Sequence, residues 1–205
     1  MIQPHDTILF QGDSITNAFR KPEEVSNAYQ LGAGYALLIA SQLLLQRPGD
    51  HLAFHNRGVS GDTLERMATR WPADCLALQP TIISILIGVN DTLSATSLGQ
   101  FVPRYRKLLS ETRAALPGVR FIVGEPFVLP CGIIKPAHIA DMEHRRPLVR
   151  QVADEFGARF VPYHAAFAAA QQQAPPDYWA FDGVHPTAAG FALMARTWLD
   201  AVSGR

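Results

Sequence analysis

The chain has little cysteine, no excess of either charge and no long apolar run. Each shortage excludes something. Cys75 and Cys131 are the only cysteines, too few for a disulfide scaffold or a four-ligand zinc site. Eighteen Lys and Arg residues balance eighteen Asp and Glu residues. A nucleic-acid binder or a polybasic membrane anchor would need a basic excess. The apolar runs break at Ser41-Gln42 and at Gln79-Pro80, well short of a membrane span. Met1 to Asp6 show no basic segment followed by an apolar stretch, so no secretory signal is visible. What is present is a hydrophobic share of 48% against 18% charged residues, which excludes disorder. The expectation is a soluble, cytoplasmic protein, with residues 1–205 forming one domain.

Short β-branched runs alternate with longer amphipathic stretches. Thr7 to Gln11, His51 to Asn56, Thr81 to Ile87, Val119 to Val123 and Arg159 to Val161 read as strands. Helices are expected over 35–46, 63–78, 100–116, 139–156, 165–173 and 187–202. Pro72 should bend or split the second of them. Strands separated by helices require right-handed crossovers and a parallel sheet covered on both faces. The fold class expected is therefore α/β, a three-layer α/β/α sandwich on a five-stranded parallel sheet. One long irregular stretch, 125–137, is rich in Pro and Gly, and a loop of that length is often functional. Whether it closes over a site is left open.

In such sheets the ligand lies beyond the carboxyl ends of the strands. Four polar, glycine-bearing segments fall there: Gly12-Asp13-Ser14, Asn56 to Thr63, Gly88-Val89-Asn90-Asp91, and Phe181-Asp182-Gly183-Val184-His185-Pro186. They suit acyl transfer through a serine ester. A serine hydroxyl needs a base to accept its proton, and the base needs a carboxylate on its other nitrogen. His185 and Asp182, three residues apart, can supply both roles. The attacked carbonyl also needs donors aimed at its developing charge. The Gly61 N–H, the Asn90 side-chain amide and the Ser14 N–H are the candidates.

These segments resemble the SGNH hydrolases, also called the GDSL esterase family, over almost the whole chain and in order. The resemblance implies a flavodoxin-like sheet and a serine esterase. It implies Ser14 as nucleophile, Asp182 and His185 completing the triad, and Ser14, Gly61 and Asn90 as oxyanion donors. No metal or organic cofactor is implied. The one departure is Gln11, where an apolar residue more often precedes Gly12. Leu31-Gly32-Ala33-Gly34-Tyr35, Arg70-Trp71 and Ala180 to Pro186 look like the bacterial acetylxylan esterases of that family. The implied substrate is a small-molecule acyl ester, an acetylated sugar foremost, with neither nucleic acid nor membrane as partner. The alternatives are a lysophospholipase or thioesterase of the same family and a non-catalytic carbohydrate-binding protein on the same fold. A homo-oligomer is left open, to be recognised by an apolar surface on the Leu- and Ala-rich helices.

Each segment also has a local reading. Ser14 or Asp13 can cap a helix, and Pro186 suits a first helical turn. Gly61-Asp62-Thr63 and Asn90-Asp91 can be turn and cap chemistry. Asp13 and Asp91 are expected to hold the nucleophile turn and the Asn90 loop through backbone N–H groups. No Gly-x-Ser-x-Gly elbow surrounds Ser14 or Ser60, and Gly32-Ala33-Gly34 is not a dinucleotide loop. His51 and His55 lie in a strand and take structural or surface roles. Arg145-Arg146 reads as a solvated helix face. Phe127, Tyr178, Trp179 and Phe181 are core or pocket wall.

Overall fold

The β-branched runs become five strands. This computed structural model describes residues 1–23 and 27–203. Its strands are β1 (Thr7–Gly12), β2 (Ala53–Asn56), β3 (Ile82–Leu86), β4 (Arg120–Gly124) and β5 (Arg159–Val161). All pair in parallel, in the order β2-β1-β3-β4-β5. The sheet therefore grows one way from β1 to β2 and the other way from β1 through β3. The carboxyl ends of β1 and β3 flank the crevice that this reversal opens.

The helices are α1 (Ser14–Asn17), α2 (Asn27–Leu31), α3 (Tyr35–Gln46), α4 (Leu64–Asp74), α5 (Val89–Leu93), α6 (Leu98–Ala115), α7 (Pro136–Glu155), α8 (Tyr163–Ala170), α9 (Pro176–Trp179) and α10 (Ala188–Ser203). Side chains alternate across a strand, so each strand feeds two cores. Ile8, Phe10, Ile82, Leu86 and Ile122 pack with Tyr35 and Ile39 of α3, Phe167 of α8 and Trp198 of α10. Leu9, Ile83, Ile85, Phe121 and Val123 pack on the other side with Met67 and Trp71 of α4, Phe101 and Leu109 of α6, and Val149 of α7. The three-layer sandwich stands as expected. Every residue of β3 is buried, and each isoleucine there contributes about 1.5–3 kcal/mol relative to exposure. Two buried indoles are matched: Trp198 Nε1 donates to Ser84 Oγ at 3.0 Å, and Trp71 Nε1 donates to Thr112 Oγ1 at 2.8 Å.

Several boundaries differ from the sequence reading. The stretch 63–78 does not form one helix: α4 ends at Asp74, and a 3-10 turn covers Leu76–Leu78. Pro72 lies inside α4 without splitting it, and the break falls at Cys75, whose ψ of −66° comes with a non-helical φ of −132°. α10 begins at Ala188, so Pro186 does not open a helix; it pairs in a bridge with Ala180. The short α1, α2, α5 and α9 escaped the sequence reading because four or five residues are too few to show a helical period. The largest correction is Arg145. It is not on a solvated face but has no exposed surface at all. On the outer side of α3, Leu38, Leu44 and Leu45 remain exposed. Among the described residues, no helix is long and apolar enough to cross a membrane.

Candidate active site

The site begins where β1 ends. Asp13 caps α1, its Oδ1 accepting from the Ile15 N–H at 3.0 Å. This turn stands Ser14 at the head of α1, half-buried and facing the crevice. Ser14 Oγ lies 2.9 Å from His185 Nε2, across 171 residues of sequence. His185 Nδ1 lies 2.7 Å from Asp182 Oδ2. A ring nitrogen against a carboxylate carries the proton, so Nδ1–H donates to Asp182 and Nε2 is left to accept from the Ser14 hydroxyl. Asp182 Oδ1 accepts from the Val184 N–H at 2.9 Å and the His185 N–H at 2.7 Å. Burial works to raise the Asp182 pKa, but these backbone and ring hydrogen bonds outweigh it and hold the carboxyl below its ordinary value.

The structure also brings Gly61 and Asn90 to this end of the sheet. Gly61 has a φ of +81°, and among the described residues neither its N–H nor that of Ser14 meets a backbone acceptor. Asn90, in α5, gives one amide N–H to the Asp62 carbonyl at 2.9 Å, which fixes the rotation of the amide and leaves its second N–H for the crevice. All five residues singled out in the sequence are thus gathered at the β1–β3 crevice. The capping readings hold at the same time: Asp13 and Thr63 both cap helices. Asp91 holds the Asn90 turn through a backbone N–H as expected: its Oδ2 accepts from the Leu64 N–H at 3.0 Å, which ties α5 to the start of α4. Burial, with the neighbouring Asp91 and Asp62 charges adding to it, pushes the Asp13 carboxyl up to about 7.

Three features take a definite place only in the structure. Arg70 reaches under the site from α4: its guanidinium bonds Asp62 Oδ2 at 2.7 Å, Gln11 Oε1 at 2.9 Å and the Gly12 carbonyl at 3.2 Å. It thereby joins the β1 turn to the Gly61 loop. Phe181, 62% exposed, stacks on the His185 ring at 5.8 Å and forms a wall of the site, while Phe127 is core. Tyr178 is exposed and lies edge-on to the partly buried Trp179 at 5.0 Å.

The third feature is the segment 125–135, which grips the Asp182 loop. The Leu129 N–H donates to the Gly183 carbonyl at 2.8 Å, and the Ile133 N–H to the Asp182 carbonyl at 3.0 Å. The two backbones touch through a pair of glycines. A Cβ on Gly132 would come within 2.4 Å of Asp182 Cα, and one on Gly183 within 2.5 Å of the Cys131 carbonyl oxygen. Both have positive φ, +57° and +86°. Replacing Gly132 by alanine should therefore cost roughly 1–3 kcal/mol in backbone strain alone. The clash should also displace Asp182, so kcat should fall along with Tm. A variant that melts and turns over like the parent protein would show that the two loops are not rigidly joined.

A doubly wound parallel sheet whose switch point joins a serine, an imidazole and a carboxylate defines a flavodoxin-like hydrolase. The chain belongs to the GDSL-like Lipase/Acylhydrolase family, whose pattern matches residues 10–193. It is 31% identical to an acetylxylan esterase of Geobacillus stearothermophilus over 205 residues, 95% of this chain and 92% of that protein. Its fold superposes on Axe2, an acetylxylan esterase of the same organism, with a TM-score of 0.89 and 30% identity, covering 98% of this chain and 95% of Axe2. A GDSL-like lipase candidate from Parabacteroides merdae superposes with a TM-score of 0.94 at 36% identity, covering 100% and 99% of the two chains. The protein is a carboxylic ester hydrolase.

Proposed function

We propose that the protein is a serine esterase that removes short acyl groups, acetyl foremost, from carbohydrate esters through an acyl-enzyme on Ser14. The observation that carries the mechanism is the relay from Ser14 Oγ to His185 Nε2 at 2.9 Å and from His185 Nδ1 to Asp182 at 2.7 Å. Ser14 Oγ attacks the ester carbonyl while His185 Nε2 takes its proton. Asp182 holds the ring and stabilises the imidazolium. The Ser14 and Gly61 N–H groups and the Asn90 amide hold the oxyanion. The tetrahedral adduct collapses with cleavage of the bond to the alcohol oxygen, His185 gives the proton to the departing alcohol, and the acetyl group stays as an ester on Ser14 Oγ. Water, deprotonated by His185, then frees the acid and restores the hydroxyl. Support for acetyl as the acyl group and sugar as the alcohol comes from the acetylxylan esterases that the chain resembles from end to end. The exposed Phe181 ring beside His185 suits the apolar face of a sugar.

A panel of p-nitrophenyl esters of rising chain length, run beside peracetylated xylose and glucose, tests this reading. One methylene too many for a hydrophobic pocket changes kcat/KM by roughly 10- to 200-fold. The expected result is a fall of that order beyond propionate, with acetate released from both sugars. A profile that rises with chain length overturns the acetyl reading in favour of a lipid or thioester hydrolase.

A further inference from the structure

The α5 turn that carries Asn90 is five residues long, too short to hold its shape unaided. Several contacts hold it, and two of them converge on one side chain from another layer of the fold. Arg145, in the middle of α7, donates Nε to Thr92 Oγ1 at 3.0 Å and Nη2 to the Thr96 carbonyl at 2.8 Å. The Thr92 hydroxyl in turn donates to Asp141 Oδ2 at 2.6 Å, and Asp141 also accepts from Arg145 Nε at 3.0 Å. The guanidinium lies over the Phe101 ring at 4.6 Å. Its Cδ sits 3.4 Å from where a Gly88 Cβ would be, so the arginine stem passes beside the residue that opens the turn. Elsewhere on the turn the Asp91 carboxylate accepts from the Leu64 N–H, and the Asn90 amide donates to the Asp62 carbonyl.

Stability alone is a poor reason for this arrangement. Burying a guanidinium costs several kcal/mol, and an apolar side chain of similar volume often serves stability as well or better. Here the cost is only partly met: among the described residues Nη1 finds no acceptor. What the guanidinium supplies, and a methionine would not, is direction. A planar fork bonded to a hydroxyl on α5 and a carbonyl just beyond it fixes both the height and the rotation of the turn. Asn90 lies between Gly88, packed on the arginine stem, and Thr92, bonded to its fork.

We propose that Arg145 is a positioning residue of the oxyanion site: from α7 it holds the α5 turn so that the Asn90 amide is aimed at the developing negative charge. The assignment rests on the reading of Asn90 as an oxyanion donor. A shift of about 1 Å in such a donor can cost on the order of 100-fold in rate, even when the displaced support lies far from the chemistry.

The test is a double-mutant cycle on p-nitrophenyl acetate hydrolysis. Arg145→Met, which keeps the volume and loses the fork, should lower kcat by about 10- to 100-fold and leave KM within about threefold. Asn90→Ala should lower kcat by about 10²–10³-fold. In the Asn90→Ala background, Arg145→Met should cost less than about threefold, because the amide it aims is already gone. Thr92→Val cuts only the side-chain link to α5, should show the same dependence on Asn90, and carries the cycle if Arg145→Met does not fold. Equal losses in both backgrounds mean that Arg145 merely supports the fold, and overturn the proposal. An Asn90→Ala loss of only a few fold overturns the oxyanion reading itself, and is seen in that single variant before the cycle is closed.

Discussion

Ser14→Ala is expected to lower turnover of p-nitrophenyl acetate by at least about 10⁴-fold. The reason is chemical and local. The Ser14 hydroxyl is the only group in the relay able to form an acyl ester, and among the described residues its Oγ has one side-chain partner, His185. The turn that presents it does not depend on the hydroxyl, since Asp13 caps α1 through the Ile15 N–H. Stability should therefore stay within about 0.5 kcal/mol of the parent protein, as for substitutions away from structural features. Steady-state kinetics and thermal melts measure the two quantities. Mass spectrometry after mixing with substrate should show a transient acetyl adduct on the parent chain and none on the variant. Substantial turnover by the alanine form removes Ser14 from its role, and the acyl-enzyme with it.

Asp182→Asn should cost about 10⁴-fold in kcat, as expected when an imidazole is held in the wrong tautomer. Asp182 faces three donors: the Val184 and His185 N–H groups on Oδ1, and His185 Nδ1–H on Oδ2. A carboxylate accepts from all three, whereas an amide has one oxygen and an NH2 that only donates. If the oxygen keeps the backbone pair, the NH2 faces the ring and drives its proton onto Nε2, which then no longer accepts from Ser14. If the oxygen keeps the ring, the NH2 is set against two backbone N–H groups. Either way the relay or the loop is lost.

The same substitution has a stability signature. The Asp182 carboxyl is held below its ordinary pKa, with burial opposing and hydrogen bonds prevailing. A depressed folded-state pKa gives stability that is fully present above the unfolded value of about 4 and is lost as pH falls through the folded value. The asparagine form should lack that acid-side loss. Turnover within tenfold of the parent would show that the carboxylate does not govern the ring.

The strands were readable because burial on both faces leaves a direct mark. Ile82 to Leu86 is apolar at nearly every position, and its side chains enter two different cores, as a covered parallel strand requires. Where 63–78 divides was less readable: α4 runs past Pro72 to Asp74, and the break falls at Cys75. Arg145 misled because a charged pair on a helix reads as solvated, while the groups that receive it, Thr92 and Thr96, lie about fifty residues earlier. Gly132 and Gly183 carried no signal of their meeting. Each looks like an ordinary turn glycine, and only the contact between their loops shows why neither tolerates a Cβ.

What belonged to the sequence by itself was local: the alternation of buried strands with amphipathic helices, and the Asp182–His185 pair, which three residues of separation nearly dictate. What awaited the tertiary structure was every distance between remote residues. Asn90 reaches Asp62 because the order β2-β1-β3 sets those carboxyl ends side by side, and Ser14 reaches His185 because the 125–135 segment holds the Asp182 loop against the turn after β1, with Arg70 and Arg145 tying the neighbouring turns. Periodicity encodes which side of an element is buried, whereas the meeting of distant loops depends on how the layers pack, and no stretch of a few neighbouring residues carries that information.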